Sequence, residues 1–329
     1  MRKVGLLIDG QWTQEQPDSR NEKGRYQRRD AVFRNWVTAN GAPGPSGSGG
    51  FVAAPGRYHL YISHACPWAH RTMIMRAMKG LDEQISVSAV HWVMAENGWT
   101  FANGPGVITD PLNNAQYMYH VYQAADPHCS TRATVPVLWD KEQQTIVSNE
   151  SSEIIRMFNS AFDGVGAKQG DYYPLELRGE IDAINERVYS TLNNGVYRCG
   201  FATSQEAYDE AVGALFDTLD WLEDQLGKSR YLLGASLTEA DIRLLPTLLR
   251  FDPVYVGHFK CNKRRLVDYP NLWGFTRDLY QRPAIRGTVN FEHIKKHYYM
   301  SHPHVNPSRI VPAGPLLDYD APHDRSRFG

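Results

Sequence analysis

Cysteine is scarce, with four in 329 residues (Cys66, Cys129, Cys199 and Cys261) and no two in a CxxC pair. That excludes the disulfide framework of a small secreted domain and a paired-cysteine redox or zinc motif, and it leaves room for a single reactive thiol. An excess of charge of one sign is missing too. Lys and Arg number 35 against 36 Asp and Glu, so no polyanion, and no nucleic acid in particular, is expected as a partner. No apolar run approaches the roughly 18 residues that a membrane span needs. The opening Met1-Arg2-Lys3-Val4-Gly5-Leu6-Leu7-Ile8-Asp9 is too short for the apolar core of an export signal before its acid. A cytoplasmic chain without a membrane partner is therefore expected. What is present excludes disorder: 42% apolar and 22% charged residues, over a length that holds two domains of about 150 residues.

The first 50 residues are polar and end in the glycine-rich stretch Asn40 to Gly50, whose composition supports neither helix nor ladder. They are expected to form an extension covering the core. From residue 51 the pattern changes. Tyr58 to Ile62 reads as a strand, Pro67 to Leu81 as a helix with Gly80 near its stop, and Ile85 to Met94 as a second strand. A long connection, Ala95 to Arg132, contains a short helical pattern from Asn114 to Ala125. Val135 to Trp139 and Thr145 to Val147 then read as a hairpin, and Ser151 to Phe162 as a helix. The order βαβ then ββα predicts a mixed sheet over 51–165. Beyond Tyr173 helical periodicity dominates: Leu175–Leu192, Ala207–Leu226, Glu239–Phe251, Leu272–Gln281 and Phe291–Tyr299. An all-α domain over 173–300 and a proline-punctuated tail over 301–329 are expected.

Three places carry chemistry. Cys66 lies between the predicted strand and helix, immediately before Pro67, which suits a first helical position because its missing N–H costs nothing there. The positive end of the helix favours thiolate over thiol, the form that attacks sulfur. The alternative is a small buried apolar cysteine. Ala69 stands where a dithiol protein has its resolving cysteine, so a reactive Cys66 needs an external thiol. At Val135-Pro136 the proline has no N–H for a ladder, leaving the Val135 backbone free to pair with an extended peptide ligand; an ordinary edge-strand proline is the alternative. At Asn149-Glu150-Ser151-Ser152 a helix begins, where free N–H groups and the Ser151 hydroxyl receive a carboxylate and Glu150 holds an ammonium, although a plain N-cap accounts for the same residues.

In that order the chain resembles the glutathione transferase fold. Cys66-Pro67-Trp68-Ala69, Val135-Pro136, Glu150-Ser151 and the helix-opening Leu237-Thr238-Glu239-Ala240-Asp241 carry the resemblance. More narrowly, Gly98-Trp99-Thr100-Phe101, Asn193-Asn194-Gly195-Val196-Tyr197-Arg198, Phe251-Asp252-Pro253-Val254-Tyr255 and His297-Tyr298-Tyr299-Met300-Ser301-His302 are similar to the glutathionyl-hydroquinone reductases, the Xi class. The resemblance implies an α/β plus all-α fold, with a thioredoxin-like glutathione-binding domain followed by a helical domain, and a homodimer. It implies Cys66 as nucleophile and Tyr197 as proton donor or acceptor. Tyr255 and Tyr298 would lower the thiol pKa, with Tyr299 one position away from the latter. Trp99, Arg132, Val135, Glu150 and Ser151 would bind glutathione, a co-substrate here, and glutathionylated aromatic molecules would be the substrates.

The implied reaction is the reduction of an S-glutathionyl-hydroquinone to the hydroquinone through a Cys66 mixed disulfide, with release of glutathione disulfide. The competing readings are an Omega-like thiol transferase or dehydroascorbate reductase, which needs the cysteine but no proton-donating tyrosine, and a binding protein that keeps the fold without turnover. His297, His302 and His304 lack a Cys or carboxylate partner at ligand spacing, so no metal is expected. The basic run Lys260, Lys263, Arg264 and Arg265 reads as a solvated loop, and Cys129, Cys199 and Cys261 as spectators.

Overall fold

The computed structural model describes residues 5–14 and 20–329. Residues 1–4, where the opening segment was weighed as an export signal, and 15–19 lie outside the described residues. The chain divides into two compact units. The first takes Met1–Pro17, Asp30–Gly170 and Thr288–His297; the second takes Asp18–Arg29, Asp171–Gly287 and Tyr298–Gly329.

In the first unit, β1 (Leu6–Ile8) and β2 (Gln11–Thr13) form an antiparallel hairpin, and β3 (Val37–Thr38) pairs in parallel with β4 (Phe51–Val52). The glycine-rich stretch between the last two stays loop. Its flanks do not merely cover the core, because Leu6, Leu7 and Val37 are themselves buried. The expectation of a covering extension is thus corrected: apolar side chains spaced too sparsely to register as a periodic pattern are drawn in individually.

The central sheet follows as β5 (Tyr58–Ile62), α1 (Pro67–Met78), β6 (Ser86–Ala89), α2 (Met118–Ala125), β7 (Val137–Asp140), β8 (Thr145–Ser148) and α3 (Ser151–Ser160). Strand order is β6-β5-β7-β8, with β5 and β6 parallel and the other pairs antiparallel. Every residue of β5 is buried, as befits a central strand. At its start Arg57 donates from Nε to Asp140 Oδ1 (3.0 Å), tying the beginning of β5 to the end of β7 inside the protein. β6 is shorter than its apolar run predicts. Ala89, still opposite Ile62 of β5, exchanges both backbone bonds with Ile108 on its other edge, and beyond Val90, whose amide still donates to Ile62, the His91 N–H turns to the Thr100 carbonyl of the returning loop. That loop is organised by Asp110, which accepts from the Tyr61 hydroxyl (2.7 Å) and from the amides of Leu112 and Ala115. A polar residue thus does there what a strand would have done.

The second unit is helical: α4 (Arg178–Val188), a π turn at Tyr189–Asn193, α5 (Gly195–Gly200), α6 (Gln205–Leu226), α7 (Glu239–Arg250), a second π turn at Phe251–Tyr255, α8 (Val256–His258), α9 (Pro270–Tyr280) and α10 (Pro283–Arg286). α11 (Phe291–Ser301) begins in the first unit and ends in the second. α5 escapes prediction because Asn193-Asn194-Gly195 reads as a turn. The C-terminal segment is no loose tail: Arg325, fully buried, donates to the carbonyl of Leu226 (2.7 Å) at the end of α6, where a helix favours a cation.

α7 starts with the expected capping box. Asp241 accepts from the amides of Thr238 (2.8 Å) and Leu232 (2.9 Å) and from the Thr238 hydroxyl, and burial pushes its carboxyl up to about 6. Asp241→Ala orphans two buried amides and should cost about 3 kcal/mol of stability at pH 7, read from urea unfolding. Because the folded value lies above the ordinary one of about 3.9, the contribution of Asp241 is fully present below pH ~4 and declines as pH rises through about 6. The gap between wild type and variant should therefore widen from pH 7 to pH 5.

Candidate active site

Cys66 is the N-cap of α1, in extended conformation (φ −75°, ψ 122°), with Pro67 at the first helical position. Its side chain makes no capping bond, and the first turn of α1 carries no acidic residue to offset the helix end. Cys66 is half-buried, unlike the three other cysteines. Burial pushes the Cys129 thiol up to about 11, and burial together with the adjacent Cys199 raises the Cys261 thiol well above its usual value. Burial thus favours the thiol over the thiolate at Cys129 and Cys261.

The Cys66 thiol donates to the carbonyl of Val135 at 3.4 Å. This contact brings two of the sequence-identified residues together, and it shows which group competes with the helix for the thiol: the carbonyl favours S–H, the helix end favours S⁻. The Val135-Pro136 bond is cis, and β7 begins only at Val137. Arg132 lies half-buried in the same approach to the strand. Trp99 is buried, its carbonyl accepts from the amide of Met118 at the head of α2, and its ring stacks on His297 at 4.7 Å between centroids.

At α3 the geometry differs from the sequence reading. The N-cap is Glu150 itself: one carboxylate oxygen accepts from the amide (2.9 Å) and hydroxyl (2.7 Å) of Ser152. Glu150, expected to hold an ammonium, uses that oxygen on its own helix. Ser151 is buried directly beside it at the first helical position.

Two supporting residues were invisible in the sequence. The hydroxyl of Tyr122, on α2, donates to the carbonyl of Thr134 (3.0 Å) and receives the side-chain amide of Asn149 (3.0 Å). It thereby joins the residue before Val135 to the residue before Glu150. Phe33, from the N-terminal region, exchanges backbone bonds with Asn149: its amide donates to Asn149 Oδ1 and its carbonyl accepts from Asn149 N, both at 3.1 Å. Only the adjacency of Asn149 to Glu150 hinted at any of this.

In the second unit the three expected tyrosines converge. The Tyr298 hydroxyl lies 2.6 Å from that of Tyr197 and 3.0 Å from that of Tyr255. Tyr298 is fully buried, and burial first, then the two neighbouring phenols, raises its pKa well above the ordinary value. Of the two adjacent tyrosines Tyr298 is the one in this cluster; the Tyr299 hydroxyl points to the carbonyl of Pro253. His258 and His302 bond to each other (Nε2 to Nδ1, 3.0 Å), and His297 Nδ1 meets the carbonyl of Trp92 at 2.8 Å. Among the described residues no group of three or more His, Cys, Asp or Glu side chains is placed to hold a metal.

The models of the glutathione S-transferase N-terminal and C-terminal domains match residues 65–161 and 205–278. The chain is 60% identical to the glutathionyl-hydroquinone reductase YqjG of Escherichia coli, over 99% of this chain and 100% of that one. The glutathione-bound structure of YqjG superposes with a TM-score of 0.91, covering 98% of this chain and 99% of that one at 58% identity. Similarity extends to the glutathionyl-hydroquinone reductase PcpF of Sphingobium chlorophenolicum (57% identity, 95% of this chain and 96% of that one). The glutathione S-transferase Xi of Phanerochaete chrysosporium matches at 52% identity with a TM-score of 0.86, over 91% of this chain and 100% of that one. With a thiol at the head of α1 facing Val135, a helical unit whose α7 is opened by the Thr238–Asp241 box, and relatives of this similarity along the whole length, the chain belongs to the glutathionyl-hydroquinone reductases, the Xi class of the glutathione transferases.

Proposed function

We propose that this chain reduces S-glutathionyl-hydroquinones to hydroquinones with glutathione as co-substrate. The Cys66 thiolate attacks the glutathionyl sulfur and the sulfur–carbon bond breaks. The electron pair of that bond stays on the aromatic carbon, which takes a proton from Tyr197. A second glutathione thiolate then attacks the Cys66 mixed disulfide, releasing glutathione disulfide and restoring Cys66. Two sulfurs lose two electrons in all and the carbon gains them. The observation that carries this reading over plain thiol transfer is the linked tyrosine trio, because disulfide exchange expels a stable thiolate and has no use for a proton donor.

Within this reading we assign glutathione capture to residues 51–165, through Trp99, Arg132, Val135, Glu150 and Ser151, and proton supply to residues 173–300, through Tyr197 with Tyr255 and Tyr298. Val135 supports the first assignment by facing the thiol, and Ser151 by opening α3, where a hydroxyl at the positive helix end suits a carboxylate. The chain would work in the cytoplasm, where glutathione is kept reduced, and as a homodimer, the state the family resemblance implies.

With Cys129, Cys199 and Cys261 replaced by alanine, thiolate absorbance should place the Cys66 pKa clearly below the free value of about 8.5. A normal or higher value would mean that the Val135 carbonyl outweighs the helix end. Ser151→Ala should raise the glutathione concentration needed in the second half-reaction about tenfold, with the rate of Cys66 alkylation by a small neutral reagent as the control. Loss of both would mark Ser151 as structural. Tyr197→Phe should lower the ratio of glutathionyl-hydroquinone turnover to glutathione mixed-disulfide turnover by a factor on the order of 100. Equal slowing of both substrates would remove Tyr197 from proton donation.

A further inference from the structure

The first turn of α3 holds an acid that its own helix does not use. Glu150 is the N-cap, so Glu153 stands at the third helical position, from which a glutamate commonly reaches back to the amide of the N-cap residue. Here the Glu150 amide donates instead to the Ser148 hydroxyl at 3.1 Å, and the Glu153 side chain is turned to the N-terminal segment. Arg34 holds it there with two bonds: Nε donates to Oε2 at 2.7 Å, and a terminal nitrogen donates to Oε1. A fork of this kind fixes the direction of a carboxylate as well as its position.

The backbone beneath Arg34 is fixed by the sheet. Arg34 pairs antiparallel with Ser148, the amide of Asn35 donates to the Val147 carbonyl at 2.9 Å, and the Phe33 carbonyl accepts from Asn149 as described above. Residues 33–35 thus extend the central sheet along the outer edge of β8, the strand that leads directly into α3. From that edge the Arg34 side chain reaches the first turn of the helix. The consequence is electrostatic. Glu150 and Glu153 flank Ser151, where a carboxylate of glutathione is proposed to enter, and a further negative charge arriving there is repelled by both. Their charges both act on Arg34, as does that of Asp30 in its own segment. Paired with Arg34, Glu153 adds no net charge to the turn, and the helix end keeps its attraction for an anion.

We infer that Arg34, from the N-terminal segment, is a specificity-determining residue of the glutathione site: by turning Glu153 aside and neutralising it, Arg34 opens the head of α3 to a thiol peptide that carries a carboxylate. It acts through Glu153 and is a positioning residue, not a catalytic one. The inference rests on the proposed capture of a glutathione carboxylate at Ser151 and deepens it. A glutamate at this position otherwise competes with the ligand for the positive end of the same helix.

The test uses the full-length protein and the second half-reaction, in which a free thiol peptide discharges the Cys66 mixed disulfide. Three peptides are compared: glutathione, its glycine ethyl ester, and γ-aminobutyryl-cysteinyl-glycine, the last two each lacking one carboxylate. Arg34→Met should raise the glutathione concentration at half-maximal rate about tenfold, with the maximal rate within about twofold of wild type. For the analogue without the captured carboxylate the change should stay below about twofold. Arg34→Lys, which keeps the charge, should recover most of the loss. Glu153→Gln should not raise the requirement. Arg34→Met combined with Glu153→Gln should return it to within about twofold of wild type, since no charge at position 153 is left to neutralise. A double variant as poor as Arg34→Met, or equal weakening for all three peptides, would overturn the inference by making Arg34 a structural clamp. Loss of the preference for glutathione in Ser151→Ala, with that preference intact in Arg34→Met, would overturn it while leaving carboxylate capture in place. Equal use of all three peptides by the wild type would instead sink the capture at Ser151 on which the inference depends.

Discussion

A phenol removed from water must have its hydroxyl met by protein, and the buried Tyr298 is met by two other phenols. The arrangement of the helical unit follows from that requirement. Tyr197 stands on α5, Tyr255 ends the second π turn and Tyr298 lies on α11, so three separate stretches of chain must converge within hydrogen-bonding distance of one oxygen. The rings of Phe259 and His302 pack against Tyr298. A half-satisfied buried polar group costs more than none, so the cluster either forms whole or is not worth having.

The convergence explains the two π turns. A π turn adds a residue to a helical turn and swings the following side chains around the axis, which is why such turns recur at functional sites. Tyr189–Asn193 comes just before the helix that carries Tyr197, and Phe251–Tyr255 ends on Tyr255. Pro253, with no N–H to give, lies inside the second turn and already disfavours a regular α-helical bond there. The helices do not end at these points. They shift phase, and the phase shift brings a tyrosine to Tyr298.

The same turns mark the limit of what periodicity reveals. Leu175–Leu192 and Glu239–Phe251 were legible as helices because their apolar spacing is regular, and each pattern fails where a π turn changes the period. The thiol site was legible for the opposite reason, since Cys66-Pro67 and Val135-Pro136 are local signals whose backbone consequences hold wherever the strands lie. Glu150 shows where local reading stops. A carboxylate at a helix start answers equally to an incoming ammonium and to the helix's own amides, and here one oxygen is taken by Ser152. Tyr122 and Phe33 had no local signal, for their bonds exist only once distant backbone has been brought beside them.

In the proposed reaction the two units of the chain divide the chemistry between them. Sulfur exchange needs a thiolate and a way to hold a peptide thiol, and in the proposed reaction both needs fall to the first unit, where the Cys66 thiol at the head of α1 meets the Val135 carbonyl and α3 opens at Glu150 and Ser151. Breaking a bond from sulfur to carbon needs something further, because a carbanion on an aromatic ring is a far poorer leaving group than a thiolate unless a proton meets it. A lone tyrosine near its ordinary pKa of about 10 would supply that proton once and be left as an exposed phenolate. A chain of three linked phenols would spread the deficit over several oxygens. What separates a reductase of aromatic thioethers from a simple thiol transferase is therefore sought less around the cysteine than in the helical unit.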